Sequence, residues 1–95
     1  MKATPDFDAL FIAEYPRLVR VVAVVCGDAE AAADCVADAF ERAYVRWRRV
    51  GRLDDPAGWV RRVAINRAID SQRRRTSAAR TLQRLAGRVE TARPA

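Results

Sequence analysis

Apolar positions along this chain recur at helical spacing, and no stretch alternates as a strand would. Phe7, Phe11, Tyr15, Leu18, Val22 and Val25 follow one another at intervals of 4, 4, 3, 4 and 3, which lines one face of an amphipathic helix. Thr4-Pro5-Asp6 supplies a start signal, a capping side chain followed by a proline tolerated in the first turn. Pro16 falls inside the run, where its ring clashes with the preceding turn, so a kink or a break is expected there. Gly27 suits the left-handed conformation that ends a helix, and Asp28 can cap the next one.

A second helix is predicted from about Ala29 to Arg48. Ala29, Ala32, Val36, Phe40, Ala43 and Trp47 form its buried stripe. Its first half carries Glu30, Asp34, Asp38 and Glu41 and its end carries Arg42, Arg46, Arg48 and Arg49, a polarity that complements the helix dipole. Val50 to Asp55 reads as a loop. Asp55 then caps a third helix with Pro56 at its first position, running to about Arg75. One face of that helix holds Val60, Val63, Ala64 and Arg67/Ala68; another holds Trp59, Arg62, Asn66, Asp70 and Arg73. Residues 76–95 differ in kind, with a weak apolar line of Ala78, Leu82, Leu85 and Val89 interrupted by Gly87. They read as a basic linker or marginal helix. The expected fold is all-α: a compact three-helix bundle over residues 1–75 with a basic tail.

Composition narrows the function. The chain has 95 residues, 51% hydrophobic and 32% charged, with no histidine and two cysteines. That removes histidine acid–base chemistry and the usual four-ligand zinc sites, so neither an enzyme nor a cofactor is expected. Cys26 and Cys35 read as buried thiols. No apolar run approaches the length of a membrane span and no secretory segment is evident, so a cytoplasmic protein is expected. Charge is segregated. Residues 1–41 carry three basic side chains against eight acidic ones, whereas residues 42–95 carry fifteen arginines against four acids. An arginine-only basic half points to a polyanion, nucleic acid first. Asp34 and Asp38 stand one turn apart, a like-charge spacing that the dipole does not fully explain and that suggests a basic partner.

The stretch from Ala33 through Asp34, Asp38, Phe40 and Glu41 to Tyr44, a short loop, and then Pro56-Ala57-Gly58-Trp59 through Asn66 and Asp70 to Arg75 resembles conserved region 2 of bacterial sigma factors. The resemblance is to the extracytoplasmic-function class and covers roughly residues 6–75. It implies two partners, the β′ clamp helices of core RNA polymerase and the non-template strand of the melted minus-ten element. Asp34 and Asp38 match the carboxylates of the family's Asp-x-x-Gln-Glu pattern, with Ala37 where the family has glutamine, and Phe40 matches its aromatic. With Glu41 they form the implied polymerase-binding set. On the DNA side, Asn66 matches the near-signature asparagine and Trp59 the aromatic of a Trp-Leu pair, with Val60 in place of leucine. The loop Arg52-Leu53-Asp54-Asp55 would form the pocket for a flipped base. Arg61, Arg62, Arg73, Arg74 and Arg75 would hold phosphates. An anti-sigma factor is a further implied partner, and a full member would carry a second domain, so the chain is expected to be an excised piece.

Other readings stand beside these. Trp47 reads as core, Trp59 as core or interface, and Asn66 as a buried amide or a base contact. Asp70 can pair with Arg67, Arg73 or Arg74 along the helix. The alternative function is a helical protein-interaction module with acidic and basic faces and no DNA reading. Duplex binding by a helix-turn-helix agrees less well, because the short turn of that motif is missing.

Overall fold

The computed structural model describes residues 3–93, with side chains from Asp6 onward. Four helices follow in order: α1 (Ala3–Cys26), α2 (Ala29–Val45), the single turn α3 (Trp47–Val50) and α4 (Pro56–Ala92). Among the described residues there is no strand. The three long helices pack pairwise against one another. Expectation and structure agree on an all-α bundle.

Local chemistry sets the helix ends. Gly27 takes φ +72, and its N–H donates to the Ala23 carbonyl at 2.8 Å, so α1 closes on a left-handed residue that only glycine adopts without strain. Asp28 caps α2, its Oδ1 accepting from the N–H of Glu30 at 2.9 Å and of Ala31 at 3.4 Å. Asp55 caps α4 in the same way, accepting from the Gly58 N–H at 3.0 Å. Two boundaries differ from expectation. Helix α1 begins at Ala3, which places Thr4 inside the first turn; its cap role lies outside the described side chains. Helix α2 ends at Val45 rather than Arg48, because Arg46 leaves helical geometry at φ −104, ψ 22. The chain then restarts for one turn, bringing Trp47 and Val50 inward. Val50 is therefore core, not loop.

Helix α1 runs unbroken through Pro16. The apolar face continues on both sides of the proline, with Tyr15 before it and buried Leu18 and Val22 after it. That packing offsets the lost backbone bond.

The core joins Leu18, Val22 and Cys26 of α1 to Cys35, Val36, Ala39, Phe40 and Ala43 of α2 and Val60, Ala64 and Ala68 of α4. Alanine predominates where the helices meet, so their axes can approach closely. The wider end is filled by aromatics. Phe7 meets Trp47 edge-on at 5.4 Å between ring centres, and Phe11 meets Phe40 at 5.0 Å, both in favourable edge-to-face range. Ala29, expected on the buried stripe, is exposed; as the first residue of α2 it precedes the packed turn.

Helix α4 continues to Ala92, well past the expected end near Arg75. From Gln72 to Arg93 every residue is exposed, and the molecule reaches 71 Å along its long axis. Alanine, leucine and arginine are strong helix formers, and the packed upstream turns supply the nucleus that an isolated segment lacks. The apolar line of Leu82, Leu85 and Val89 packs on nothing within the chain.

Burial raises the Cys35 thiol above its ordinary value of 9.0; the neighbouring Cys26 adds to the rise and Arg67 opposes it. Two predictions follow from this packing. Phe40→Ala should cost about 3–5 kcal/mol in urea unfolding, whereas Leu85→Ala should change stability by less than about 0.5 kcal/mol. The contribution of Cys35 to stability should be fully present below pH 9.0 and fall above it, where the unfolded chain releases the Cys35 proton that the folded chain retains. Cys35→Ala should remove that part of the decline.

Candidate polymerase and nucleic-acid interface

The acidic side chains of α2 form a row. Asp34 and Glu41 are exposed, Asp38 is partly buried between them, and Ala37 lies exposed within the row. Phe40, on the opposite side of the helix, is only 2% exposed. Its burial agrees with its place on the apolar stripe: the ring packs against Phe7, Phe11 and Tyr15 and supports the acidic row from behind. Trp47, 8% exposed, is core as expected.

Asp38 has partners within the chain. Its Oδ2 accepts from Arg67 Nε of α4 and forms an ion pair with Arg42 Nε at 3.3 Å. The expected pairing of Asp70 is thereby overturned. Arg67 turns toward α2, and among the described residues Asp70 forms no ion pair. The reason is position: Arg67 borders the buried stripe of Val60, Ala64 and Ala68, so its stem lies along α2 while Asp70 faces solvent.

The other face of α4 presents Arg62, Asn66, Asp70 and Arg73, all exposed, with Trp59 partly buried at its start. Asn66 makes no side-chain hydrogen bond within the described residues, so its amide faces outward rather than bonding a loop carbonyl. Trp59 rests against the core and is partly exposed. The preceding loop leads into the start of this row. Arg52 and Asp54 are exposed, and Leu53 is 42% exposed despite being apolar. Asp55 is committed in part: Oδ1 caps α4, and Oδ2 lies 3.7 Å from Arg61. That exposed pair contributes little to stability. A Cβ at position 58 would run into the Asp55 carboxyl, so Gly58 lets the cap close.

Arg75 departs from its expected phosphate role. It donates to the Cys26 carbonyl at the end of α1 and, at 2.9 Å, to Ser71 Oγ. It thus satisfies a helix-end carbonyl and pins α1 to α4. Arg74 instead joins Arg67 and Ser71 on one side of a groove of about 230 Å³, with Asp34, Cys35 and Asp38 on the other. The acidic row and the basic helix therefore share an edge.

Sequence reasoning missed the internal roles of Asp38, Arg67 and Arg75. The place of Arg67 on the inner face of α4, beside Ala68, was the available signal: a charge at a stripe edge needs a partner on the facing helix.

No cluster of three or more His, Cys, Asp or Glu that could hold a metal occurs among the described residues, and no described helix is long and apolar enough to cross a membrane. No curated protein and no solved structure matches the chain significantly. The family model for sigma-70 region 2 matches residues 10–78, a span that contains α1 from Leu10, α2, α3 and α4 as far as Ala78. That family is a non-catalytic transcription domain through which sigma factors bind RNA polymerase and recognise promoters. With the acidic row, the loop and the α4 row all inside the matched span, the chain belongs to the sigma-70 region 2 family.

Proposed function

We propose that this chain is the region 2 module of an extracytoplasmic-function sigma factor. It docks on the β′ clamp helices of core RNA polymerase through Asp34, Asp38 and Glu41, and it captures the unpaired non-template strand of the minus-ten element. The observation that carries the reading is the exposed row of Arg62, Asn66, Asp70 and Arg73 on α4, with partly buried Trp59 at its start and the exposed loop 52–55 leading into it. Capturing melted DNA requires a flipped base held by groups that read its edge. The outward Asn66 amide donates and accepts at once, as a base edge requires. Trp59 offers partly exposed ring surface for contact with a base, Leu53 an apolar wall, and Asp54 an acceptor for an exocyclic amine. Arg62, Arg73 and Arg74 hold phosphates.

On the polymerase side, exposed carboxylates give steering and register toward a basic coiled coil more than raw affinity. Ala37 contributes no hydrogen bond, so Asp34 and Glu41 carry more of that contact. The site of action is the cytoplasm, where polymerase works, and an anti-sigma factor masking either row would silence the module.

Asp34→Arg/Glu41→Arg should retain the helical circular dichroism signal and lose at least about tenfold in affinity for core RNA polymerase, since it places like charges against a basic surface. Undiminished binding would contradict the docking assignment. Asn66→Ala should weaken capture of a labelled minus-ten strand by about tenfold, in line with the loss of one bidentate base contact. Its melting temperature should match the wild type, because the side chain is exposed.

A further inference from the structure

The last turns of α4 leave the bundle and pack on nothing, yet their pattern is ordered. Ala78, Leu82, Leu85, Val89 and Ala92 follow one another at intervals of 4, 3, 4 and 3, a strict seven-residue repeat. Such a repeat lines the narrow seam that one helix offers to another, rather than the broader stripe that packs on a bundle. The stretch is helical to Ala92, and Leu82, Leu85 and Val89 are 67%, 53% and 64% exposed. They share a shallow groove of about 480 Å³ with Ala86, Glu90 and Arg93. Gly87 falls opposite the seam by the same repeat, so its missing side chain leaves no gap there. The seam begins at Ala78, where the match to sigma-70 region 2 ends, and the matched domain does not account for it.

Charge decides what can cover this seam. The positions flanking it in the repeat are Ala79, Thr81, Ala86, Arg88 and Arg93, so every charged one is arginine. Among the described residues neither Arg88 nor Arg93 forms an ion pair. Residues 73–93 together hold seven arginines against Glu90 alone. A second copy of this chain would set arginine against arginine along the flanks, which acts against pairing. Nucleic acid would satisfy the arginines and leave the apolar seam uncovered.

We propose that residues 78–93 are a docking surface for an acidic amphipathic helix of another protein, which pairs with α4 as a short two-stranded coiled coil. The partner's apolar side chains pack around Leu82, Leu85 and Val89, and its flanking carboxylates meet Arg88 and Arg93. Alanine at 78 and 92 leaves room on the seam for large partner residues. Two heptads are few, so the contact is weak and reversible, and charge supplies the choice of partner more than the affinity.

The test titrates the full chain into a fluorescein-labelled synthetic peptide of about three heptads, with leucine at both seam positions and glutamate at both flanks. Its own like charges keep the peptide from pairing with itself. Anisotropy should show saturable binding, and a peptide of the same composition in scrambled order should bind at least about tenfold more weakly, having acid without a seam. Leu82→Gln/Leu85→Gln should lose at least about tenfold in affinity for the ordered peptide. Both residues are exposed and glutamine forms helix nearly as well as leucine, so circular dichroism and urea unfolding should match the wild type. Arg88→Glu/Arg93→Glu should transfer the preference to a peptide with lysine at the flanks. Equal binding of ordered and scrambled peptides, full binding by the glutamine variant, or an unmoved preference in the charge-reversed variant overturns the inference.

The glutamine variant also separates the other occupants. A wild-type dimer in sedimentation that the variant loses would assign the seam to a second copy. Weaker binding of an oligothymidylate by the variant would assign it to nucleic acid. Either result overturns the inference. Neither polymerase nor a minus-ten strand enters the peptide titration, so its failure leaves the proposed function untouched.

Discussion

Close approach of α2 and α4 is the constraint on which the rest of the molecule depends. Ala32, Val36, Ala39 and Ala43 on one helix and Val60, Ala64 and Ala68 on the other are all fully buried. Small side chains at these positions let two backbones of opposite charge character lie side by side. Asp38 then reaches Arg67, and Arg75 reaches back to the end of α1. Larger residues along this seam would separate the acidic row from the basic helix and remove the groove that joins them. Aromatic packing at the far end, from Phe7 to Trp47, fixes the tilt of α1 over that seam and keeps the acidic row supported from behind.

Much of this was legible in the sequence. The three long helices, the Gly27 stop, the Asp28 and Asp55 caps and the stripe from Ala32 to Trp47 are local signals, and local backbone chemistry decides them. What escaped depends on neighbours distant in the chain. Pro16 suggested a kink or a break, and α1 runs through it without a break, its apolar face packed on both sides. Asp70 had arginines within one turn, yet Arg67 lies beside α2 and takes Asp38 instead. Phe40 stood both on the apolar stripe and in the set implied by the family resemblance, and the structure buries it. The extent of α4 was undercounted because its last five turns have no packing to announce them, only good helix formers attached to an existing nucleus.

The candidate site divides along the same line. Trp59, Arg62, Asn66, Asp70 and Arg73 lie on one face by simple helical spacing, and the structure leaves that face open. The loop 52–55 leads into it from the turn α3, which the periodicity alone did not separate from α2. Charge segregation along the chain gave an acidic half and a basic half, and the structure brings Asp34 and Asp38 of one against Arg67 and Arg74 of the other.

The central claim is that α4 and its loop grip unpaired DNA rather than duplex. The most direct test is the affinity of the chain, bound to core RNA polymerase, for a fluorescent non-template minus-ten strand against the duplex of the same sequence at one fixed salt concentration. The account predicts at least about tenfold tighter binding of the single strand, since one flipped and stacked base contributes about 1–3 kcal/mol and the duplex must first be opened. Equal affinity, or a preference for duplex, would contradict it.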